Sequence, residues 1–203
     1  MEVVKFEAKN SDDALGKCLE KLNVNLSEVY YYVEEGEAGI FGKKKYVAYV
    51  VTKYSVKEYV KQFFKDLACN MNTTFDLEIN EKDGIISALV ITDNSNVLIG
   101  KEGRTLNAIQ TIIRQSLRKY GNFDIKVNLD IDGYKERRQK NIEREVHKIA
   151  KEVLSSGVDA KLDPMNSYER RLVHNIVSEY DNLITQSEGE VPNRYVVIKL
   201  KKD

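Results

Sequence analysis

The sequence predicts an α+β protein of three small domains. A β-α-β-β unit comes first, an α-β-β-α-α-β unit second, and a long helix followed by a helix packed on a small sheet third. Three observations carry this. Apolar positions switch repeatedly between a period of two and a period near 3.6, so strands and helices alternate. The chain has 203 residues, room for one to three compact units at roughly 50 to 250 residues each. Only two prolines, Pro164 and Pro192, and no Gly/Ser-rich run interrupt it. Domain boundaries therefore come from the changes of periodicity, at 1–53, 54–131 and 132–203.

In the first block Val3 to Ala8 reads as a strand. A helix capped by Ser11 or Asp12 follows, with Leu15, Cys18, Leu19 and Leu22 as its apolar stripe. Val29 to Glu34 and Tyr46 to Thr52 are Tyr- and Val-rich strands flanking a glycine-bearing connection, Gly36 to Gly42. The second block opens on a helix with Val56, Val60, Phe63 and Leu67 inward. Phe75, Leu77 and Ile79 alternate on a strand, Asp83-Gly84 turns the chain, and Ile85 to Ile91 run back. Val97 to Ile99 then lead through Gly100-Lys101-Glu102-Gly103 into a helix marked by Leu106, Ile109, Ile113 and Leu117, which stops near Gly121. A strand alternating Ile125, Val127, Leu129 and Ile131 closes the block.

The third block begins with a helix from about Gly133 to Leu154. Ile142, Val146, Ile149 and Val153 face inward, and Arg137, Arg138, Lys140 and Arg144 outward. After an extended piece, Val158 to Leu162, and the Asp163-Pro164 break, Asn166 with Glu169 makes a capping-box start. Val173, Ile176, Val177 and Tyr180 give that helix its core stripe. Strands Leu183 to Glu188 and Tyr195 to Leu200 finish the chain.

Composition narrows the function. Lys plus Arg equals Asp plus Glu at 32 each, which excludes a globally basic coat and leaves only local basic sites. The two cysteines, Cys18 and Cys69, lack metal-ligand spacing, so neither a disulfide framework nor a zinc site is expected. No cationic leader precedes an apolar run and no stretch is apolar enough to span a membrane, so the expected location is the cytoplasm. His147 has no nucleophile or ligand partner at suggestive spacing, and Asp12-Asp13 and Glu34-Glu35 sit at element ends as caps or solvated charge. No catalytic constellation, metal site or cofactor motif is present, and no enzyme activity is expected.

Two motifs carry chemistry. Gly100-Lys101-Glu102-Gly103 joins two helices, and its glycines let backbone approach a sugar-phosphate chain where a Cβ would clash. Lys101 and Arg104 can sit beside phosphates, helped by the N-terminus of the next helix. Val97, Ile99 and Leu106 supply an apolar groove for unstacked bases. The run from Val97 to Leu106, inside α-β-β-α-α-β, resembles a KH domain of the bacterial type II order, which implies a clamp on about four nucleotides of single-stranded RNA. Glu102 departs from that pattern by placing an anion beside phosphate, which Arg104 can offset. A second GxxG, Gly39-Ile40-Phe41-Gly42 before Lys43 to Lys45, lies between strands and reads as a hairpin connection.

The second motif is Arg170 and His174, four apart on one helix face beside Arg171 and Tyr168. A guanidinium can contact phosphate bidentately or stack on a base, and an imidazole can donate or stack. With Gly189 to Ile198 this stretch resembles the single-stranded-nucleic-acid-binding domain named for its Arg-x3-His motif. Arg194 matches a basic position there, while Tyr195 replaces a second charge with a possible stacking ring.

Taken together, the chain resembles the Jag family of bacterial RNA-binding proteins, also called KhpB or EloR. That resemblance implies a regulator of single-stranded RNA linked to cell elongation and division. It also implies pairing with a small KH protein or with itself, and a peripheral link to a membrane-protein insertase. The long charged linker found after the first domain in many members is missing, since Thr52 to Ser55 leaves almost none. Residues 1–53, slightly acidic, suit protein contact and are expected to be dispensable for RNA affinity. A rival reading, a protein-interaction scaffold on the same folds, rests on the zero net charge and Glu102.

Overall fold

The computed structural model describes residues 1–36 and 44–201 and divides into two compact units, Met1–Asp132 and Gly133–Asp203. The mixed α+β class read from periodicity holds, in three three-stranded sheets.

In the first unit, β1 (Val4–Ala8), α1 (Ser11–Leu22), β2 (Val29–Gly36) and β3 (Lys45–Thr52) form an antiparallel sheet of order β1-β3-β2 under one helix. Ala14 and Cys18 of α1 are sealed against Val4, Ala48 and Val50. The cap is Asn10, one residue before the expected Ser11 or Asp12. Its backbone is extended and its Oδ1 accepts the Asp13 N–H at 2.7 Å, which leaves Asp12 and Asp13 in the first turn where the helix dipole favours acids. The second GxxG and Lys43 lie outside the described residues. Lys44 and Lys45 pair with Glu35 and Glu7 at 3.1 and 3.2 Å.

No linker follows. Thr52 ends β3 and also caps α2 (Lys53–Asn70), its hydroxyl accepting the Ser55 N–H at 3.1 Å. Val56, Val60 and Phe64 are the buried stripe of α2. Phe63 and Leu67, expected inward, are half-buried because the i, i+4, i+8 row continues to Phe64, whose ring meets Phe63 and Phe75 edge-on. Then come β4 (Asp76–Lys82), β5 (Ile85–Ile91), α3 (Ser95–Ile99), α4 (Arg104–Arg118) and β6 (Lys126–Ile131). Asp83 and Gly84 both have positive φ, 52° and 75°, the backbone of a tight type I′ hairpin. The helical crossover makes β5 and β6 parallel, in the order β4-β5-β6. Ile86, Ala88, Val90, Val127 and Leu129 close a core with Leu98, Leu106, Ile113 and Leu117.

Side chains of α4 finish the open edge of this sheet. Gln110 Oε1 accepts the Leu129 N–H at 2.9 Å, and Arg114 donates Nε and Nη2 to the Val127 carbonyl at 3.1 and 2.7 Å. The first sheet of this unit also meets the loop that leads into β6. Tyr32 of β2 stacks on Tyr49 at 4.7 Å and meets Phe123 edge-on at 4.9 Å. Its hydroxyl occupies the space a Cβ on Gly121 would need, with φ +141° there and 2.6 Å between them. Asn122 donates to Glu34 at 3.3 Å, and Lys53 pairs with Glu81 at 2.9 Å, largely shielded from water. Beneath that pair Tyr30 is buried, and burial followed by the Glu81 carboxylate pushes its phenol up to about 12.

In the second unit α5 (Tyr134–Ser156) and α6 (Ser167–Val177) pack on a sheet of β7 (Ala160–Lys161), β8 (Leu183–Glu188) and β9 (Tyr195–Leu200), in order β7-β9-β8 and antiparallel throughout. Val146, Ala150 and Val153 meet Val173, Val177, Val196 and Ile198. Of the expected Val158 to Leu162 piece, Ala160 and Lys161 pair as strand and the Leu162 N–H donates to the Val196 carbonyl at 3.0 Å, while Val158 stays exposed. The capping box forms as read: Asn166 Oδ1 accepts the Tyr168 and Glu169 N–H groups, and Glu169 Oε2 accepts the Asn166 N–H at 3.0 Å. Among the described residues no helix is long and apolar enough to cross a membrane.

Candidate nucleic-acid interface

The loop between α3 and α4 is a single 3-10 turn, Lys101–Gly103. Gly100, Glu102 and Gly103 have φ of 68°, 53° and 73°, so the chain reverses into α4 with three departures from ordinary L-residue geometry in four residues. A Cβ on Gly100 would run into the Thr105 hydroxyl. The first glycine is therefore demanded by the loop's own packing as well as by any ligand. Lys101 is exposed and makes no ion pair among the described residues. Glu102 Oε2 accepts from Arg104 Nη2 at 3.3 Å, so the anion expected to repel phosphate is met inside the loop.

Val97 is 60% exposed beside this turn, as an apolar groove requires. Ile99, expected on the same groove, is core: it is 8% exposed, and Leu106 is buried too. A helix of only five residues has room for one outward apolar side chain once Leu98 and Ile99 cover the sheet.

On α6, Arg170 is half-buried and donates Nη1 to the Met165 carbonyl at 2.9 Å, while Arg171 is exposed. Arg194 is exposed in the β8–β9 turn, and its carbonyl accepts the Met165 N–H at 3.0 Å. Met165 thus ties the Arg170 side chain to the Arg194 backbone. His174 is held on both sides by β8: Nδ1 bonds to Thr185 Oγ1 and Nε2 to Ser187 Oγ at 3.0 Å. Burial, then the nearby Arg170 charge, holds its imidazole below the usual histidine range. Neutral imidazole has one donor and one acceptor nitrogen, and the two hydroxyls complement them. Thr185 and Ser187 are absent from the residues that sequence reasoning selects. Their one signal is the i, i+2 spacing that puts both on the helix-facing side of β8.

Arg138, expected among the outward residues, turns onto α6. Its Nε donates to Glu169 Oε1 at 2.8 Å, and Glu169 is 4% exposed. A buried carboxylate needs such a partner. Tyr195 is not an open stacking ring: Lys161 Nζ sits 4.0 Å from its centroid and Glu188 accepts from its hydroxyl at 3.4 Å. His147 is structural, bonded through Nδ1 to the Tyr180 hydroxyl at 2.8 Å. No group of His, Cys, Asp and Glu able to hold a metal occurs among the described residues.

Comparison with known proteins covers both motifs. A model of the KhpA/KhpB KH domain matches residues 57–131, a span that includes the Gly100 to Gly103 turn. A model of the Arg-x3-His domain matches residues 140–200, including Arg170, His174 and Arg194. Over its full length the chain is 31% identical to RNA-binding protein KhpB of Clostridium symbiosum, across 94% of that protein. It is 30% identical to RNA-binding protein KhpB of Bacillus subtilis (strain 168) across 100% of both chains. A relative in Lactiplantibacillus plantarum, also named RNA-binding protein KhpB, is 35% identical over 65% of this chain and 41% of its own. Matched from end to end by such relatives, and carrying both domain motifs in order, the chain belongs to the KhpB family.

Proposed function

We propose that this protein binds single-stranded RNA and acts as a post-transcriptional regulator, with the Gly100 to Arg104 turn clamping the backbone. Arg170, Arg171 and Arg194 would supply phosphate contacts from the second unit. The observation that supports this best is the exposed Lys101, without an ion pair among the described residues, at the mouth of a turn whose positive-φ residues bring the backbone to the surface ahead of α4. In this reading residues 54–131 and 132–203 are the two RNA-binding domains and residues 1–53 serve protein contact. Protein contact would include a small KH protein, a second copy or the membrane-protein insertase, and the regulated process is cell elongation and division.

The test is a mobility shift of labelled single-stranded RNA with the full chain and with Lys101→Asp. The side chain is exposed, so the fold should be kept while affinity falls about tenfold or more, because a cation beside phosphate becomes an anion. Unchanged affinity with an unchanged circular dichroism spectrum refutes the clamp. No shift by the parent chain would favour the scaffold.

A further inference from the structure

Tyr168 is the second residue of α6 and the side chain is 63% exposed. A tyrosine so exposed ordinarily samples several rotamers, yet this one is tied down. Its hydroxyl donates to Gln139 Oε1 of α5 at 3.1 Å. Gln139 is itself fixed, donating Nε2 to Glu143 Oε1 at 2.8 Å. The backbone is held as well, since the Tyr168 N–H donates to the Asn166 cap. The phenol edge is thus anchored to one helix and the Cα to another, and the ring stays open to solvent.

One exposed cation stands beside the ring. Arg171 lies three residues on, on the same helix face, and is exposed. Glu169, the adjacent acid, is turned into the interior and held by Arg138 at 2.8 Å. Glu143, at the far end of the tether, accepts from Gln139 and sits one helical turn beyond it on α5. Aromatic faces beside arginines are how proteins take up unpaired bases without reading their sequence. Tyr54, at 69% exposed, is an equally open ring, but it lies one turn from Glu58 rather than beside an arginine.

We infer that Tyr168 is a stacking platform for an unpaired nucleobase, its ring pre-set by the Gln139–Glu143 tether, with Arg171 meeting the phosphate of the same nucleotide. This rests on the single-stranded RNA reading above and adds a base-contacting residue to the second unit. Prior fixing matters because a mobile side chain would give up rotamer freedom on binding.

The chain contains no tryptophan, so Tyr168→Trp installs a single indole at the platform, which can be excited selectively at the red edge where the tyrosines do not absorb. Oligouridine should quench its emission along the same isotherm that a mobility shift gives. In the full chain Tyr168→Ala should weaken oligouridine binding about tenfold, while Tyr168→Phe, which keeps the ring but loses the hydroxyl tether, should weaken it by only about threefold, the cost of ordering the freed ring. Melting curves of the three variants should overlay the parent's. An Ala variant that binds as tightly as the parent, or a tryptophan variant whose emission is unmoved at saturating oligouridine, overturns the platform while leaving RNA binding intact. Failure of the parent chain to bind oligouridine overturns the RNA reading, and the platform with it.

Discussion

His174 is held between two hydroxyls of β8, and its burial beside Arg170 decides how it behaves with pH. Burial and Arg170 lower its folded pKa below the ordinary 6.5, so below that value the unfolded chain takes up a proton that the folded chain does not. Stability is therefore fully present above about pH 6.5 and falls as pH drops from there towards the depressed value. Thermal melts from pH 8 to pH 5 should show this decline, and His174→Gln should flatten it. A variant profile parallel to the parent's would mean that His174 contributes nothing to the slope. The Arg-x3-His spacing is readable in sequence because α-helical geometry places i and i+4 together without knowledge of the rest of the fold. Its hydroxyl partners are not, since a helix-strand contact has no local signature. Ile99 misleads for a related reason: on so short a helix the outward and inward sides are fixed by what packs over it, not by periodicity.

Elements with strong periodicity are legible almost whole. The stripes Leu106, Ile109, Ile113, Leu117 and Ile142, Val146, Val153 lie in the cores where the 3.6-residue period puts them. The Asp83-Gly84 turn and the Asn166–Glu169 box have the predicted conformations because their chemistry is contained within four residues. What sequence hides is tertiary: the turn of Arg138 toward Glu169, and the finishing of β6 by α4. That finishing has a measurable value. Arg114 supplies two charge-assisted hydrogen bonds to a carbonyl of the edge strand β6, and strand edges left uncovered invite pairing with other chains. Arg114→Ala should cost about 1–3 kcal/mol, seen as a lower urea midpoint. It should also raise light scattering on warming. A variant with the parent's midpoint would show that water replaces the guanidinium at no cost.

At the level of the whole chain, the first 53 residues are not an appendage. Their sequence suggests a protein-contact module that RNA binding could spare. In the fold β3 runs directly into α2, and Tyr32, Glu34 and Lys53 engage Phe123, Asn122 and Glu81 inside one compact unit. Removing residues 1–53 would expose Phe123 and leave Glu81 without its shielded cation. The shortened chain should lose about 2 kcal/mol or more, a fall in Tm of roughly 4–8 °C for a protein of this size. Equal melting of the two forms would restore the appendage. The Glu102–Arg104 pair has a further consequence, because the turn carries its own counterion. With equal numbers of acids and bases overall and one of the two cations at the turn already neutralised, the molecule has little pull on polyanions as such. Heparin or polyphosphate, which offer charge without a strand to thread or bases to stack, should compete poorly for it.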